Sequence, residues 1–308
     1  MAMPLVETKN LKKYFKTGAG MLHAVEDVNL KIMPGKTLGV VGESGCGKST
    51  LGRTILRLQP ATSGEVLYNG ENILKYKGKD MQKIHLNMQM IFQDPYSSLD
   101  PRMSVHNLIA EPVQVCGLLK TKAEINEHVR EIMDMCGLPA DQANLFPHEL
   151  DGGLRQRVGL ARAMAVSPKF IVCDEPVSAL DVSIQAQILN LLMDLQEQRE
   201  LSYMFITHDL CVVKHISDEI MVMYMGQVVE HAKTAELFAN PVHPYTKALL
   251  HAVPTIDLSK RNREGFMLRG EVTSPINPAP GCRFAPRCPY ATDKCKENVC
   301  LKEVSPDH

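Results

Sequence analysis

Apolar and polar positions change period several times along this chain. Residues 5–11 and 25–32 alternate, as strands of a half-exposed sheet do. Thr37-Leu38-Gly39-Val40-Val41 is a short apolar run that suits a buried strand, and Leu51, Ile55 and Leu58 then repeat at helical spacing. Val66-Leu67-Tyr68 precedes Asn69-Gly70, a strong turn signal. From about residue 97 to 165 the pattern is helical. Ile125, Val129, Ile132, Met133 and Cys136 form one stripe, with Gly137 where a helix stops. Phe170-Ile171-Val172-Cys173-Asp174 predicts a buried strand ending in acid. Ile184, Ile188, Leu191, Leu192 and Leu195 predict a long amphipathic helix, and Tyr203-Met204-Phe205-Ile206-Thr207 a further strand. Residues 220–229 read as a hairpin broken at Gly226-Gln227. Beyond about residue 240 proline and glycine rise and periodicity fades. The sum is a mixed α/β chain with an appended tail.

The predicted strand 37–41 runs into Gly42-Glu43-Ser44-Gly45-Cys46-Gly47-Lys48-Ser49-Thr50, which fits the phosphate-loop pattern G-x-x-x-x-G-K-[ST] in full. Gly42, Gly45 and Gly47 let the backbone turn tightly, so its N–H groups can point at a polyphosphate. Lys48 reaches the β- and γ-phosphates and the Ser49 hydroxyl is placed for Mg²⁺. A glycine loop between a strand and a helix N-terminus is an anion site, whereas a lone glycine-rich turn binds nothing. Asp174-Glu175 closes another apolar strand. There a phosphate-loop ATPase needs one carboxylate for Mg²⁺ and a second to orient and deprotonate water. Gln93 is a candidate for metal or water contact, and Asp151-Gly152-Gly153 opens a helix. Asp181 follows the carboxylates, and His208 follows a strand and is a candidate γ-phosphate contact.

Length and charge add bounds. A chain of 308 residues suggests one large or two modest domains. A net charge of −1 argues against bulk nucleic-acid binding. No apolar run approaches the roughly 18 residues of a bilayer-crossing helix, and residues 1–6 show no signal-peptide pattern. Cys46, Cys116, Cys136, Cys173 and Cys211 are scattered, whereas Cys282, Cys288, Cys295 and Cys300 gather near the end. That distribution points to a local terminal site rather than a disulfide scaffold.

The ordered set of motifs resembles the nucleotide-binding subunits of ATP-binding-cassette transporters, over nearly the whole chain. The resemblance implies a RecA-like P-loop NTPase core with an N-terminal antiparallel β subdomain and an inserted helical subdomain at about 97–165. It places the ATPase domain at 1–240 and a cysteine-rich extension at 241–308. Two such cassettes pair head to tail, each ATP lying between one chain's loop and the other's signature motif. On this resemblance Phe15, rather than Tyr14, stacks on adenine. The loop residues 42–50 hold phosphate, with Lys48, Ser49 and Thr50 on phosphate and Mg²⁺. Gln93 senses the metal and the membrane partner, and Asp174 supports Mg²⁺. Glu175 is the general base, His208 stabilises the γ-phosphate, and Asp181 couples the two sites. Two transmembrane permeases dock on the helical region, which puts the chain at the cytoplasmic face of the membrane as a peripheral subunit. Soluble cassette ATPases of DNA repair or translation usually carry a coiled-coil insertion or two cassettes, and neither is seen in this sequence.

One departure carries information. The family signature Leu-Ser-Gly-Gly-Gln here reads Leu150-Asp151-Gly152-Gly153-Leu154. An ionised carboxylate cannot donate to the partner's γ-phosphate as serine does. At 4 Å its repulsion costs about 1 kcal/mol in water and several times that in a drier interface. The expectation is a heterodimer with a paralogous cassette subunit that carries a normal signature. The alternatives are an interface that tolerates Asp151, and a mainly regulatory subunit with weak hydrolysis.

The tail segments His243-Pro244-Tyr245-Thr246-Lys247-Ala248-Leu249-Leu250, Gly281-Cys282-Arg283-Phe284 and Pro286-Arg287-Cys288-Pro289 resemble the C-terminal region of the dipeptide/oligopeptide importer branch. This branch also includes nickel and other solute importers. The resemblance implies peptide uptake supplied by an extracytoplasmic binding protein. From composition alone, four thiolates suit a metal or an iron–sulfur cluster. Members of the branch are similar in carrying a cysteine-ligated 4Fe–4S cluster here. Cys282, Cys288, Cys295 and Cys300 are its expected ligands, with zinc as the alternative.

Overall fold

The computed structural model describes residues 3–253, 274–297, 299–306 and 308. Pro254, one of the tail residues before the cysteine segment, lies outside them. The chain divides into two compact units, one of residues 1–74 and 205–308, the other of residues 75–204.

The first unit opens with β1 (Val6–Thr17), β2 (Gly20–Ile32), β3 (Thr37–Val41), α1 (Lys48–Ile55), β4 (Ser63–Tyr68) and β5 (Glu71–Asn72). Strands β2-β1-β4-β5 form an antiparallel sheet. β1 and β2 run further than the alternation of residues 5–11 and 25–32 predicts. The register of β1 against β2 shifts three times between Thr8 and Tyr14, and Asn10 has φ +46°. Bulges of this kind break the two-residue period while leaving the ladder in place. β3 is buried along its whole length, as its apolar run requires. α1 ends where Arg57 turns to φ +57°, which leaves Leu58 half-exposed rather than on the expected stripe.

The second unit holds α2 (Lys79–Asn87), β6 (Met88–Ile91), α3 (Pro95–Ser98), α4 (Val105–Val115), α5 (Lys122–Met135), α6 (Gly152–Met164), β7 (Phe170–Asp174) and α7 (Val182–Arg199). The helical character of 97–165 is present: α4, α5 and α6 pack on one another. Val129, Ile132 and Met133 form the buried face of α5, and Thr121 and Glu124 close a capping box at its start. β6 and β7 are parallel, with Ile91 opposite Cys173. α7 buries Ile188, Leu189, Leu192 and Leu195.

β8 (Ser202–Ile206) straddles the division. The Ser202 N–H donates to Lys169 O within the second unit, and the N–H of Thr207 donates to Val40 O within the first. The first unit continues with α8 (Leu210–Ile216), β9 (Glu219–Tyr224), β10 (Gln227–Lys233), α9 (Thr234–Ala239) and α10 (Pro244–His251). β3 pairs in parallel with β9, and β9 pairs antiparallel with β10. The β9–β10 turn has positive φ at both Met225 and Gly226, the geometry of a two-residue hairpin loop. Tyr224, Tyr245 and Phe284 share one buried cluster with Val222 and Leu237, so tail residues enter the core of this unit. Among the described residues no helix is long and apolar enough to cross a membrane.

Glu26 ties the β1–β2 hairpin to this core. Its carboxylate accepts from Tyr14 Oη at 2.6 Å and pairs with His23 Nδ1 at 2.6 Å, Arg283 at 2.9 Å and Lys12 at 3.2 Å. Burial alone pushes the Glu26 carboxyl up, but the hydrogen bonds from Tyr14, His23 and Lys12 and the Arg283 charge hold it below the usual carboxylate range. A depressed folded value stabilises the fold above the unfolded value of about 4.3, and this contribution disappears as pH falls through the folded value. Glu26→Gln therefore lowers the urea midpoint at pH 7. The gap from the unaltered chain narrows below the unfolded value and closes as pH falls through the folded one.

Candidate functional site

Each unit carries part of the expected site. In the first unit the phosphate loop joins β3 to α1. Gly42, Gly45 and Gly47 have φ of +154°, +77° and +106°. A Cβ on Gly47 would collide with the Ala24 carbonyl oxygen, and one on Gly42 with that of Met223. Glycine is therefore required at both by backbone approach as well as by conformation. The Lys48 ammonium folds back into the loop, donating to Gly42 O at 2.8 Å and Glu43 O at 3.0 Å. Cys46 is buried at the base of the loop, where burial pushes its thiol up, and its carbonyl accepts from the Gly226 N–H at 2.7 Å. Ser44 and Gly45 form the exposed tip, and Lys48, Ser49 and Thr50 begin α1. The first turn of α1 contains no acid, which suits an anion at a positive dipole end.

His208 lies at the same strand end as the loop. Thr207 bonds to Val40 O next to Val41 and Gly42, and Thr207 Oγ1 accepts from the Asp209 N–H at 3.0 Å. Asp209 then caps α8 through Cys211 and Val212. This leaves His208 exposed between a fixed strand and a capped helix. The two candidate aromatics are engaged differently. Tyr14 stacks on His23 with centroids 4.0 Å apart, and burial and the Glu26 hydrogen bond push its phenol up to about 12. Phe15 is half-buried, with Lys13 Nζ 4.5 Å from its ring centroid.

In the second unit Asp174 is fully buried at the end of β7. Glu175 follows with φ +48°, an uncommon conformation for a side chain of this size and one that clusters at functional sites. Gln93 Nε2 donates to Glu175 Oε2 at 3.0 Å. The pairing of Ile91 with Cys173 explains this, because both residues lie two positions beyond it on parallel strands. Sequence reasoning placed Gln93 near metal or water. The structure adds a direct amide–carboxylate hydrogen bond between Gln93 and Glu175.

Asp151 caps α6, its Oδ1 accepting from the Leu154 N–H at 2.8 Å. A Cβ on Gly153 would meet Ile184 at 2.8 Å, and one on Gly152 would meet Leu180 at 3.2 Å. The two glycines thus also serve packing. Arg155 donates to Pro147 O at 2.6 Å and lies 3.8 Å from the Tyr96 ring centroid, fixing the entry to α6. Asp181 precedes α7 and is exposed.

The four cysteines do not form one set. The Cys282 N–H donates to Cys295 O at 2.8 Å. Burial pushes the Cys282 thiol up, and the nearby Cys295 and Cys288 add to this. Cys300 instead lines a groove of about 550 Å³ with Glu219, Glu230 and His231. Among the described residues no group of three or more His, Cys, Asp or Glu is arranged to hold a metal. The four-thiolate expectation is corrected: among the described residues not even three of these thiols are arranged to hold a metal, and Cys300 lines a groove that the other three do not.

Sequence reasoning missed two residues at the loop. Tyr245 Oη accepts from the Glu43 N–H at 2.8 Å, and Arg287 pairs with the Glu43 carboxylate at 3.1 Å. Both lie in tail segments picked out only for their resemblance to a family.

A strand, glycine loop and helix around Lys48 in one unit, and in the other a buried strand that ends at Asp174 with Glu175 next, are the elements of a P-loop nucleotide triphosphatase. The family model described as ABC transporter matches residues 25–178, and that described as Oligopeptide/dipeptide transporter, C-terminal region, matches residues 229–295. The chain is 54% identical over 265 residues to the oligopeptide transport ATP-binding protein OppF of Bacillus subtilis, covering 85% of this chain and 87% of that protein. It is 46% identical to AppF of the same organism, over 99% of this chain and 95% of the relative. A dimeric post-hydrolysis structure of the ATP-binding cassette MJ0796 with ADP and Pi superposes with a TM-score of 0.69 at 30% identity, covering 74% of this chain and 98% of that one. The chain belongs to the ABC transporter family of ATP-binding proteins, and its reaction is ATP hydrolysis.

The Gln93–Glu175 bond makes a specific prediction. Gln93→Ala lowers kcat by about 10-fold or more, because the amide that holds the Glu175 carboxylate is lost. Steady-state ATPase assays check this. An unchanged kcat would contradict it.

Proposed function

We propose that this chain powers the uptake of di- and oligopeptides across the cytoplasmic membrane, as the ATPase subunit of an importer. The observation that carries the proposal is the joint match to the cassette and to the oligopeptide/dipeptide C-terminal region on one chain, with relatives named for oligopeptide transport. The ATPase domain is taken as 1–240, its helical subdomain as about 97–165 and the extension as 241–308. Two permeases dock at the helical subdomain on the cytoplasmic face, and an extracytoplasmic binding protein delivers peptide.

In this reading Phe15 stacks on adenine, and the loop from Gly42 to Thr50 cradles the phosphates, Lys48 turning from its carbonyl partners to the β- and γ-oxygens. Ser49, Gln93 and Asp174 present hydroxyl, amide and carboxylate oxygens, a hard donor set that suits Mg²⁺. That ion neutralises phosphate charge when bound. Glu175 takes the proton of the attacking water as its oxygen bonds to the γ-phosphorus and the bond to ADP breaks. His208 stabilises charge on the γ-phosphate, and Asp181 links paired sites.

The partner is proposed to be a paralogous cassette. Asp151 brings negative charge to the signature, although its Leu154 N–H bond and the α6 dipole offset part of this. Asp151→Ser keeps a cap and restores a donor, and Asp151→Ala costs about 1 kcal/mol of stability. The chain mixed with its paralogue hydrolyses ATP at least several-fold faster than alone, and Asp151→Ser narrows that gap. Full activity of the purified chain alone would refute the pairing.

Cys282, Cys288 and Cys295 are the proposed ligands of a tail metal, an iron–sulfur cluster in the first reading and zinc in the second. The support is three soft donors on one short segment. No step of hydrolysis passes through it. Iron, sulfide and zinc analysis of anaerobically purified protein checks it, and absence of all three rejects it. The transport proposal is tested in vesicles carrying the permeases and binding protein. ATP-dependent accumulation of labelled peptide is expected, whereas nickel uptake without peptide uptake would favour the nickel importers of the same branch.

A further inference from the structure

We propose that the tail segment 281–288 braces both ends of the nucleotide half-site through Arg283 and Arg287, and that Arg287 is a positioning residue of the phosphate loop. This rests on the reading that the loop binds ATP.

The segment is anchored between its two arginines. Phe284 is buried, with ring centroids 5.2 Å from Tyr224, 5.6 Å from Tyr245 and 5.3 Å from His243. On one side Arg283 pairs with Glu26 at 2.9 Å and donates to the Met225 and His23 carbonyls. Residues just before the segment also hold the hairpin that carries Tyr14 and Phe15. His23 N–H donates to Pro275 O at 3.0 Å, and Met21 N–H to Asn277 Oδ1 at 2.9 Å. On the other side Arg287 reaches both Glu43 oxygens, at 3.2 and 3.1 Å, with its guanidinium 5.8 Å from the Tyr224 ring centroid.

Glu43 is the only acid within residues 42–50. Its backbone is held twice, by Tyr245 on the N–H and by Lys48 on the carbonyl. Its carboxylate is held by Arg287. A carboxylate free to swing beside a polyphosphate repels it, and a buried counter-ion both neutralises that charge and fixes its direction. Arg287 thereby sets how well the loop accepts an anion without touching the anion or the attacking water. The same segment fixes the hairpin through Glu26, so base end and phosphate end are held by one short stretch of tail.

The test uses the full chain assembled with its partner subunits, measuring ATPase rate against Mg-ATP concentration. Arg287→Ala raises KM for ATP about 5- to 10-fold while kcat stays within about 2-fold. Arg287→Lys, which keeps a point charge, recovers most of the affinity. Glu43→Gln placed on Arg287→Ala also recovers it, since the acid to be neutralised is gone. A merely structural loss would reduce the active fraction, lowering kcat at unchanged KM, and the second substitution would not repair it. Unchanged KM in Arg287→Ala, or failure of Glu43→Gln to restore it, overturns the brace. Should Arg287→Ala not fold, Arg287→Gln replaces it under the same two criteria. An unaltered assembly that does not saturate with ATP sinks the parent reading as well, whereas a saturating one with an indifferent Arg287→Ala sinks the brace alone.

Discussion

The structure depends on one constraint: a main chain must turn around an anion site at the end of a buried strand, with no room for side chains. Gly47 lies against the Ala24 carbonyl and Gly42 against that of Met223. Both neighbours belong to the first unit, one on β2 and one on β9, so the loop is shaped by the sheets behind it as much as by its own sequence. Lys48 fills the turn on the carbonyls of Gly42 and Glu43. A polyphosphate offers that ammonium better-matched oxygens and offers the α1 N-terminus its counter-charge. The loop is thus already formed around a cation that can change partners without refolding.

Much of the site was legible because chemistry dictates its spacing. A phosphate loop needs glycines, lysine and a hydroxyl at fixed intervals, and Asp174-Glu175 needs a buried strand before it. Fold legibility followed the regularity of burial. β3 and β7, buried on every residue, and the stripe on α5 declared themselves. The β1–β2 hairpin declared itself only over residues 5–11 and 25–32, because its bulges break the alternation beyond them. α2 and the four-residue β6 also escaped notice, the strand being too short to show a period.

What no local pattern could reveal are the contacts that join distant segments. Glu43 meets Tyr245 and Arg287, which lie 202 and 244 positions away. Glu26 meets Arg283 across 257 positions. The cysteine spacing misled in the opposite direction: four thiols close in sequence looked like one ligand set, yet among the described residues no three are arranged to hold a metal. Asp151 is a middle case. Its identity departs from the family signature, which is visible in sequence, while its engagement as the cap of α6 appears only in the fold.

The central claim is that residues 42–50 hold ATP through Lys48 and the loop backbone. Calorimetric titration of Mg-ATP into the folded chain, beside Lys48→Ala with the same thermal stability, tests it most directly. The account predicts saturable binding by the unaltered chain and a loss of about 10-fold or more in the variant. Equal affinity in the two proteins would contradict it.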